Sequence, residues 1–298
     1  MTRSPSFARR LRRHAEAALM RLALRVFRLP GLDRASALGG MLGQAIGPRL
    51  GVNRVARRNL RACLPQISEA EIAAIVRGMW DNLGRTAAEC AHLDRFQCYA
   101  ADSRVEVRGV EFIEQAAALG KGAIFVGGHL GNWELQPLAV AQRGLAVMEI
   151  YRAASNPLAD TIITSLRRRH VTPHQIAKGG AGKRMMLRWL QQKNYIAMLV
   201  DQKMNDGIEA PFFGRPSMCP PAAAQLARRF GCPIIPVTMH RTRGAYFVQT
   251  FEAPIFVPQT GDRERDVLAA VSEINARLER FIRAHPSQWL WLHRRWPG

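Results

Sequence analysis

A histidine and a glutamate five residues apart are the side chains of this sequence best suited to chemistry. They lie in "GGHLGNWE", residues 127–134, directly after the apolar run "AIFV". Along one continuous helix, five residues turn through about 500°, so the two side chains would not meet. With His129 in a turn and Glu134 in the first helical turn after it, they can converge. The carboxylate could then hold one imidazole nitrogen and leave the other to take a proton from a hydroxyl, as a general base.

The surroundings of His129 favour a site, although they also allow a purely structural histidine that caps a helix. Asn132 can cap a helix that begins at Trp133. Ligands of α/β proteins bind at the carboxyl ends of strands, where His129 is expected to lie. The sequence has no GxSxG, GxxxxGK or HExxH motif, so it predicts no serine nucleophile, no phosphate loop and no catalytic zinc. No metal or cofactor is expected.

The charge of the chain indicates an anionic partner. The 298 residues are 48% hydrophobic and carry a formal net charge of +20. Residues 1–61 contain 14 arginines, no lysine and only two acids, so +12 of that charge lies in the first fifth of the chain. Such asymmetry favours nucleic acid or an anionic membrane surface. Five cysteines without a CxxC pair fit a reducing compartment.

The N-terminal region, residues 1–65, is predicted to consist of basic helices. The first begins at Phe7 and ends at Pro30-Gly31. Its apolar residues share one side and its arginines another, which is typical of a helix lying in a membrane interface, although a helix packed on its own domain has the same pattern. No run is apolar enough for a secretory signal or a spanning helix. The predicted apolar side consists of Phe7, Leu11, Ala15, Ala18, Leu22 and Val26.

Residues 66–298 are predicted to form a single α/β domain. Ser68 and Glu71 make a capping box for a helix that runs to about residue 92. From about residue 103, short and continuously apolar strands alternate with helices, which predicts a mixed, largely parallel central sheet flanked by helices. A long charged helix is expected at about 262–284.

Several ordered blocks of the chain resemble those of one enzyme family. The sequence is similar to the lysophospholipid acyltransferase superfamily and, more closely, to the lipid A biosynthesis acyltransferases that transfer lauroyl and myristoyl chains. The resemblance covers nearly the whole chain. Besides the basic N-terminal helices, it is carried by "GGHLGNWEL", "YRAASNPLADTIITSLRRR", "AMLVDQK", "APFFGRPSMCPPAAAQLARRFGCPIIPV" and "WLWLHRRW".

The resemblance implies transfer of a fatty acyl chain from an acyl carrier protein or coenzyme A thioester to a lipid hydroxyl. It places the enzyme at the cytoplasmic face of the inner membrane. It also implies that His129 is the general base and Glu134 its partner, and that Arg167 and Asp201 are an essential arginine and an essential acid. Gly128 stands where lipid A enzymes usually carry Asn. A lipid A precursor is the acceptor expected first. Because of the departure at Gly128, another glycolipid, a phospholipid or an aminolipid is the alternative.

Arg167 and Asp201 also have ordinary interpretations. Arg167 begins "RRRH" near the end of a helix, where it could complement the helix dipole or clamp a phosphate or the oxyanion-bearing acyl group. Asp201 ends the strand "YIAMLV". It could be a turn cap, or it could pair with Arg167.

Three further groups are candidates for substrate binding. Asn132 belongs to the His129 motif, and Arg152 ends a strand, as a second anion-binding candidate. In "PFFGRP", Arg215 could meet a head-group phosphate, while Phe212 and Phe213 either wall an acyl groove or belong to the core.

The tryptophans of "WLWLHRRW" allow three interpretations. They could stack on bases or lie at a lipid interface, but a terminal strand packed on the sheet is preferred. No helix-turn-helix, RNA-binding or zinc-finger pattern supports nucleic-acid binding. A non-catalytic protein that binds anionic lipid or nucleic acid is the alternative of a different class.

Overall fold

The predicted fold class is confirmed by the computed structural model, which describes residues 7–296. A seven-stranded sheet is flanked by helices and preceded by a helical N-terminal region. The outer ends of the two predicted regions, residues 1–6 and 297–298, lie outside the described residues. The helices are α1 (Phe7–Arg28), α2 (Leu32–Ile46), α3 (Asn53–Cys63), α4 (Glu69–Glu89), α5 (Val110–Ala118), α6 (Leu138–Gln142), α7 (Pro157–His170), α8 (Gly180–Gln191), α9 (Ala222–Phe230) and α10 (Arg263–Ala284).

The central sheet has the order β1-β9-β8-β2-β5-β3-β4, and all its pairs are parallel except β8 with β9. The carboxyl ends of β2, β5, β3 and β4 therefore meet at one edge. The strands are β1 (Val105–Arg108), β2 (Ala123–Gly127), β3 (Val147–Tyr151), β4 (His174–Ala177), β5 (Tyr195–Leu199), β6 (Ile208–Phe212), β7 (Arg215–Cys219), β8 (Ile234–Arg243) and β9 (Tyr246–Phe251). The pair β6–β7 is a separate antiparallel hairpin.

A capping box fixes where helix α4 begins, and close glycine contacts fix how helix α2 packs on it. The capping box is confirmed, since the Ser68 hydroxyl accepts from the Glu71 backbone N–H and the Glu71 carboxylate accepts from the Ser68 N–H. Helix α2 packs on α4 through Gly39 and Gly84, which approach so closely that no Cβ fits at either position.

One predicted helix is interrupted. The stretch "WELQPLAVAQRG" forms a 3-10 turn at Trp133–Leu135 and then the short helix α6, with Pro137 at its N-cap. Proline has no N–H for an intrahelical hydrogen bond and clashes with the preceding turn. Strand β4 and the β6–β7 hairpin were not anticipated by the sequence pattern.

The "PFFGRP" and "WLWLHRRW" segments belong to the core. Phe212 and Phe213 are buried against Trp289 and Trp296. The expectation that the two phenylalanines wall an acyl groove is wrong, because the tryptophans already cover them. The terminal segment packs against the core as preferred, but as a single bridge from Trp289 to Leu130 followed by turns rather than as a strand.

Candidate active site

The pairing of β2 with β5 places His129 beside Asp201. Gly127 and Leu199, the last residues of the two strands, are register partners, and His129 and Asp201 each follow two residues later. The His129 Nδ1 lies 2.8 Å from Asp201 Oδ1, and the His129 backbone N–H donates to Oδ2 over 2.7 Å. Two hydrogen bonds from one residue to one carboxylate fix the orientation of the ring.

The Asp201 carboxyl is held in its ionised form. It is 1% exposed, and the Trp289 indole N–H donates to its Oδ2 over 2.7 Å. Burial alone would raise the pKa of Asp201, but the charge of His129 and these hydrogen bonds bring it well below its ordinary value. Because a carboxylate only accepts, Nδ1 of His129 carries the proton and Nε2 presents a lone pair. The Gln202 amide lies 3.1 Å from that Nε2.

The Glu134 carboxylate pairs with Arg167 instead of the imidazole. Arg167 Nε and Nη2 donate to its two oxygens over 2.6 and 2.7 Å. The hypothesis that Glu134 holds a ring nitrogen is therefore wrong. Of the two alternatives for Asp201, the pair with Arg167 is not formed. The reason is local: Gly131 has a φ of +59° and Asn132 caps the 3-10 turn, so the chain turns Glu134 towards α7.

A second carboxylate shares this arginine. Glu149 Oε1 lies 4.0 Å from Arg167 Nε. Burial, and the nearby Glu134, raise the pKa of Glu149 to about 7 although Arg167 opposes the shift. Burial opposes the charge of Arg167 too, yet the charges of Glu134 and Glu149 raise its pKa above the ordinary value. Arg167 consequently remains charged and is held by the carboxylates of Glu134 and Glu149.

Trp133 connects the two pairs. Its ring lies 5.3 Å from the His129 ring, and its indole N–H donates to Glu134 over 3.1 Å. The Glu134–Arg167 pair is therefore one indole away from the imidazole.

An apolar cavity of about 460 Å³ opens between α1, α4 and α7, and Glu134 and Arg167 are at its polar side. This volume is within the range of small-molecule sites. Helix α1 is fixed there by Asn156, the N-cap of α7, whose amide donates to the Arg13 carbonyl and the Glu16 carboxylate, each over 2.9 Å. The remaining lining residues are Glu16, Leu19, Met20, Ala23, Leu24, Phe27, Ala87, Cys90, Leu93, Ile163 and Leu166.

The three predicted substrate-binding residues lie in different surroundings. Asn132 is fully buried, accepts from the Glu134 N–H and donates to Glu89, so it braces the loop. It is not among the residues that line the cavity under α1. Arg152 is exposed after β3, on the same sheet edge as His129. Arg215 is exposed and is the first residue of β7, directly after the turn that joins β6 to β7.

The predicted apolar side of α1 is exposed. All six of its residues face outwards, including Leu11 at 62% and Leu22 at 57% exposure. Leu38, Met41 and Ile46 of the neighbouring α2 are exposed as well. Within residues 7–296, no helix is both long and apolar enough to cross a bilayer.

Sequence reasoning missed Gln202, Trp289 and the cavity under α1. Gln202 directly follows Asp201, so a strand-end search could have included it. Trp289 had no such signal, because its contact with Asp201 spans 88 residues.

The whole chain matches known acyltransferases. The family model for bacterial lipid A biosynthesis acyltransferases matches residues 4–297. The chain therefore belongs to the bacterial lipid A biosynthesis acyltransferase family, which confirms the resemblance.

Individual relatives differ in the lipid named. The chain is 26% identical over 250 residues to the lipid A biosynthesis palmitoleoyltransferase of Escherichia coli K12, covering 81% of this chain and 77% of the relative. It is 25% identical over 272 residues to the myristoyltransferase of that organism, covering 89% and 80%. A phosphatidylinositol mannoside acyltransferase of Mycobacterium tuberculosis is 23% identical over 196 residues, covering 64% and 59%.

Proposed function

We propose that this enzyme transfers a fatty acyl chain from a thioester to a hydroxyl of a lipid A precursor, at the cytoplasmic face of the inner membrane. The observation that carries the proposal is an oriented imidazole, His129 held by Asp201. The Trp133 indole lies between this imidazole and Glu134, which lines an apolar cavity. The donor is acyl carrier protein or coenzyme A carrying the chain. No nucleic acid and no metal take part.

The reaction needs a base, a positioned hydroxyl and a leaving group. Nε2 of His129 removes the proton of the acceptor hydroxyl, while Asp201 holds Nδ1–H and stabilises the imidazolium that forms. The hydroxyl oxygen attacks the thioester carbonyl, and a C–O bond forms. The C–S bond then breaks, and the leaving thiolate takes from the imidazolium the proton that the acceptor hydroxyl gave up. The thiolate of a thioester is an adequate leaving group, so no covalent enzyme intermediate is required.

The Glu134–Arg167 pair has a positioning role in this scheme. It forms the polar side of the cavity and contacts Trp133, which packs beside the imidazole. An acyl chain in the cavity would therefore bring its carbonyl towards His129. Arg152, exposed at the same sheet edge, is proposed to meet an anionic group of the acceptor, and Arg215 a head-group phosphate.

The names of the relatives support a lipid A precursor first and another glycolipid second, because one relative is named for phosphatidylinositol mannoside. The direct test is mass spectrometry of products from purified protein. Lauroyl and myristoyl thioesters of acyl carrier protein and of coenzyme A are each offered with a lipid A precursor, a mannosylated phosphatidylinositol and a lysophospholipid. An acylated lipid A precursor is expected; acylation of only another lipid would overturn the acceptor. No transfer to any of them, with vesicle binding intact, would leave a non-catalytic lipid-binding protein.

Filling the cavity should shorten the accepted acyl chain. Ala87 of α4 lines the cavity, and Ala87→Phe adds a six-carbon ring that would displace at least about two methylenes of a bound chain. Each buried methylene contributes ~0.8 kcal/mol, so the preference for a C14 over a C8 donor should fall by roughly tenfold or more in kcat/KM. The matched control is Ala222→Phe, which lines another cavity of about 460 Å³, beside α8 and α9. Equal chain-length profiles in the two variants would exclude the cavity as the acyl site.

The exposed side of α1 should hold the protein on anionic membranes. Its leucines bury apolar surface in the interface while the arginines meet lipid phosphates. Leu11→Ser with Leu22→Ser is expected to lower the partition onto phosphatidylglycerol-containing vesicles by at least about tenfold, given ~1.5–3 kcal/mol for a fully buried leucine. Flotation measures this. Leu268→Ser, an exposed leucine of α10, is the control, and equal flotation of all variants would contradict the proposed contact.

A further inference from the structure

The Gln202 side chain covers the reactive nitrogen of the imidazole. Its Nε2 lies 3.1 Å from Nε2 of His129. In the neutral ring, with the proton on Nδ1 facing Asp201, Nε2 accepts and the Gln202 amide N–H donates to it. The rest of the amide, its second N–H and its oxygen, has no partner among residues 7–296. Gln202 is half-buried, so this group can be reached from the site.

Four other residues that could donate near the imidazole have donors that are already engaged. Arg167 makes a two-point contact with Glu134. The Trp133 and Trp289 indoles donate to Glu134 and Asp201. Arg295 is 1% exposed, and its Nη1 and Nη2 donate to the Asp201 carbonyl oxygen and to Cys219. Its Nε has no partner among residues 7–296, but it is shielded from the site by burial. Acyl transfer nevertheless develops a negative oxygen that needs a donor.

A second histidine near the dyad does not fill this role. The His293 ring lies 5.8 Å from the His129 ring. Its Nε2 is buried from solvent and has no partner in the described part of the chain. Burial lowers the pKa of His293, so it stays neutral near neutral pH. A nitrogen shielded in this way cannot touch a substrate oxygen.

We propose that Gln202 is a further catalytic residue, the donor that stabilises the oxyanion of the acyl-transfer step. In the structure its amide caps the lone pair of His129. The acceptor hydroxyl displaces the amide and gives its proton to that lone pair, while an amide N–H moves onto the thioester carbonyl oxygen. As the C–O bond forms, this oxygen becomes negative; when the C–S bond breaks, the carbonyl is restored and the amide returns. The inference rests on the proposed acyl transfer.

The test replaces Gln202 by methionine, which has a similar length and no donor. Loss of one oxyanion donor is expected to lower kcat by about 10²–10³-fold, with the KM of donor and acceptor changed by less than about threefold. The control is Gln225→Met on the exposed surface of α9, which should leave kcat unchanged. Equal melting temperatures of the two variants exclude a folding defect.

A second measurement does not depend on turnover. The ¹⁵N NMR signal of His129 Nε2 should shift in Gln202→Met, because its hydrogen bond is lost, and remain in place in Gln225→Met. If wild-type protein transfers acyl chains while Gln202→Met keeps its kcat, the oxyanion role falls and the proposed function stands. If the Nε2 signal does not move, the resting contact itself is refuted. If the wild type transfers no acyl chain although the signal moves, the proposed function and the role of Gln202 in it both fail.

Discussion

Replacing Asp201 by Asn is expected to lower kcat for acyl transfer by about 10⁴-fold, the order associated with changing the carboxylate behind a catalytic imidazole into an amide. The buried carboxylate fixes the ring through Nδ1 and backbone N–H contacts. An amide can donate to Nδ1 instead, which moves the ring proton to Nε2 and removes the lone pair that the acceptor hydroxyl needs. The initial rate with a lauroyl thioester and the ¹⁵N signals of the ring measure both effects.

The informative control for this variant is Glu134→Gln. The sequence predicted that Glu134 orients the imidazole, whereas its carboxylate is bonded to Arg167. Glu134→Gln is therefore expected to leave the His129 tautomer unchanged. It can still change the rate of acyl transfer, because Glu134 lines the cavity. A tautomer that changes in Glu134→Gln and not in Asp201→Asn would restore the original assignment and refute the dyad.

Removing Arg167 should destabilise the fold strongly. Arg167→Ala leaves the buried Glu134 without its charged partner and removes a cation that opposes the raised pKa of Glu149. Breaking a buried ion pair from one side costs about 3–5 kcal/mol in the free energy of unfolding. Urea unfolding at pH 8 measures the loss. The exposed pair of Arg61 with Glu69 is the control, and Arg61→Ala should have no measurable effect.

The loss of stability in Arg167→Ala is expected to depend on pH, and the raised pKa of Glu149 fixes its direction. A carboxyl whose pKa is higher in the folded state than in the unfolded state binds more protons when folded, so its contribution to stability rises as pH falls towards its unfolded pKa. The pKa of Glu149 is already about 7, and loss of Arg167 would raise it further. The deficit of Arg167→Ala should shrink between pH 8 and pH 5. The double variant Glu134→Gln with Arg167→Gln should recover part of the stability; a deficit equal at both pH values would contradict the shared-charge arrangement.

The sequence by itself determined the local structure around the site. A continuous apolar run followed by glycines placed His129 at the end of β2, and the Asn132 cap followed from residue type. Periodicity identified the exposed apolar side of α1, because it depends only on the order of residues along one helix. The Ser68–Glu71 capping box, a contact across three residues, was equally readable. The departure within this stretch was Pro137, which breaks the helix after Trp133.

Only the tertiary structure decided which groups meet. His129 and Asp201 are 72 residues apart and come together because β2 and β5 are neighbours in the sheet, an order that the strand sequences do not encode individually. Because of the left-handed turn at Gly131 and the position of α7, the Glu134 carboxylate bonds Arg167 rather than the imidazole. The cavity likewise exists only between α1, α4 and α7. Local patterns fix faces and ends of elements, whereas partners across the site depend on how distant elements pack.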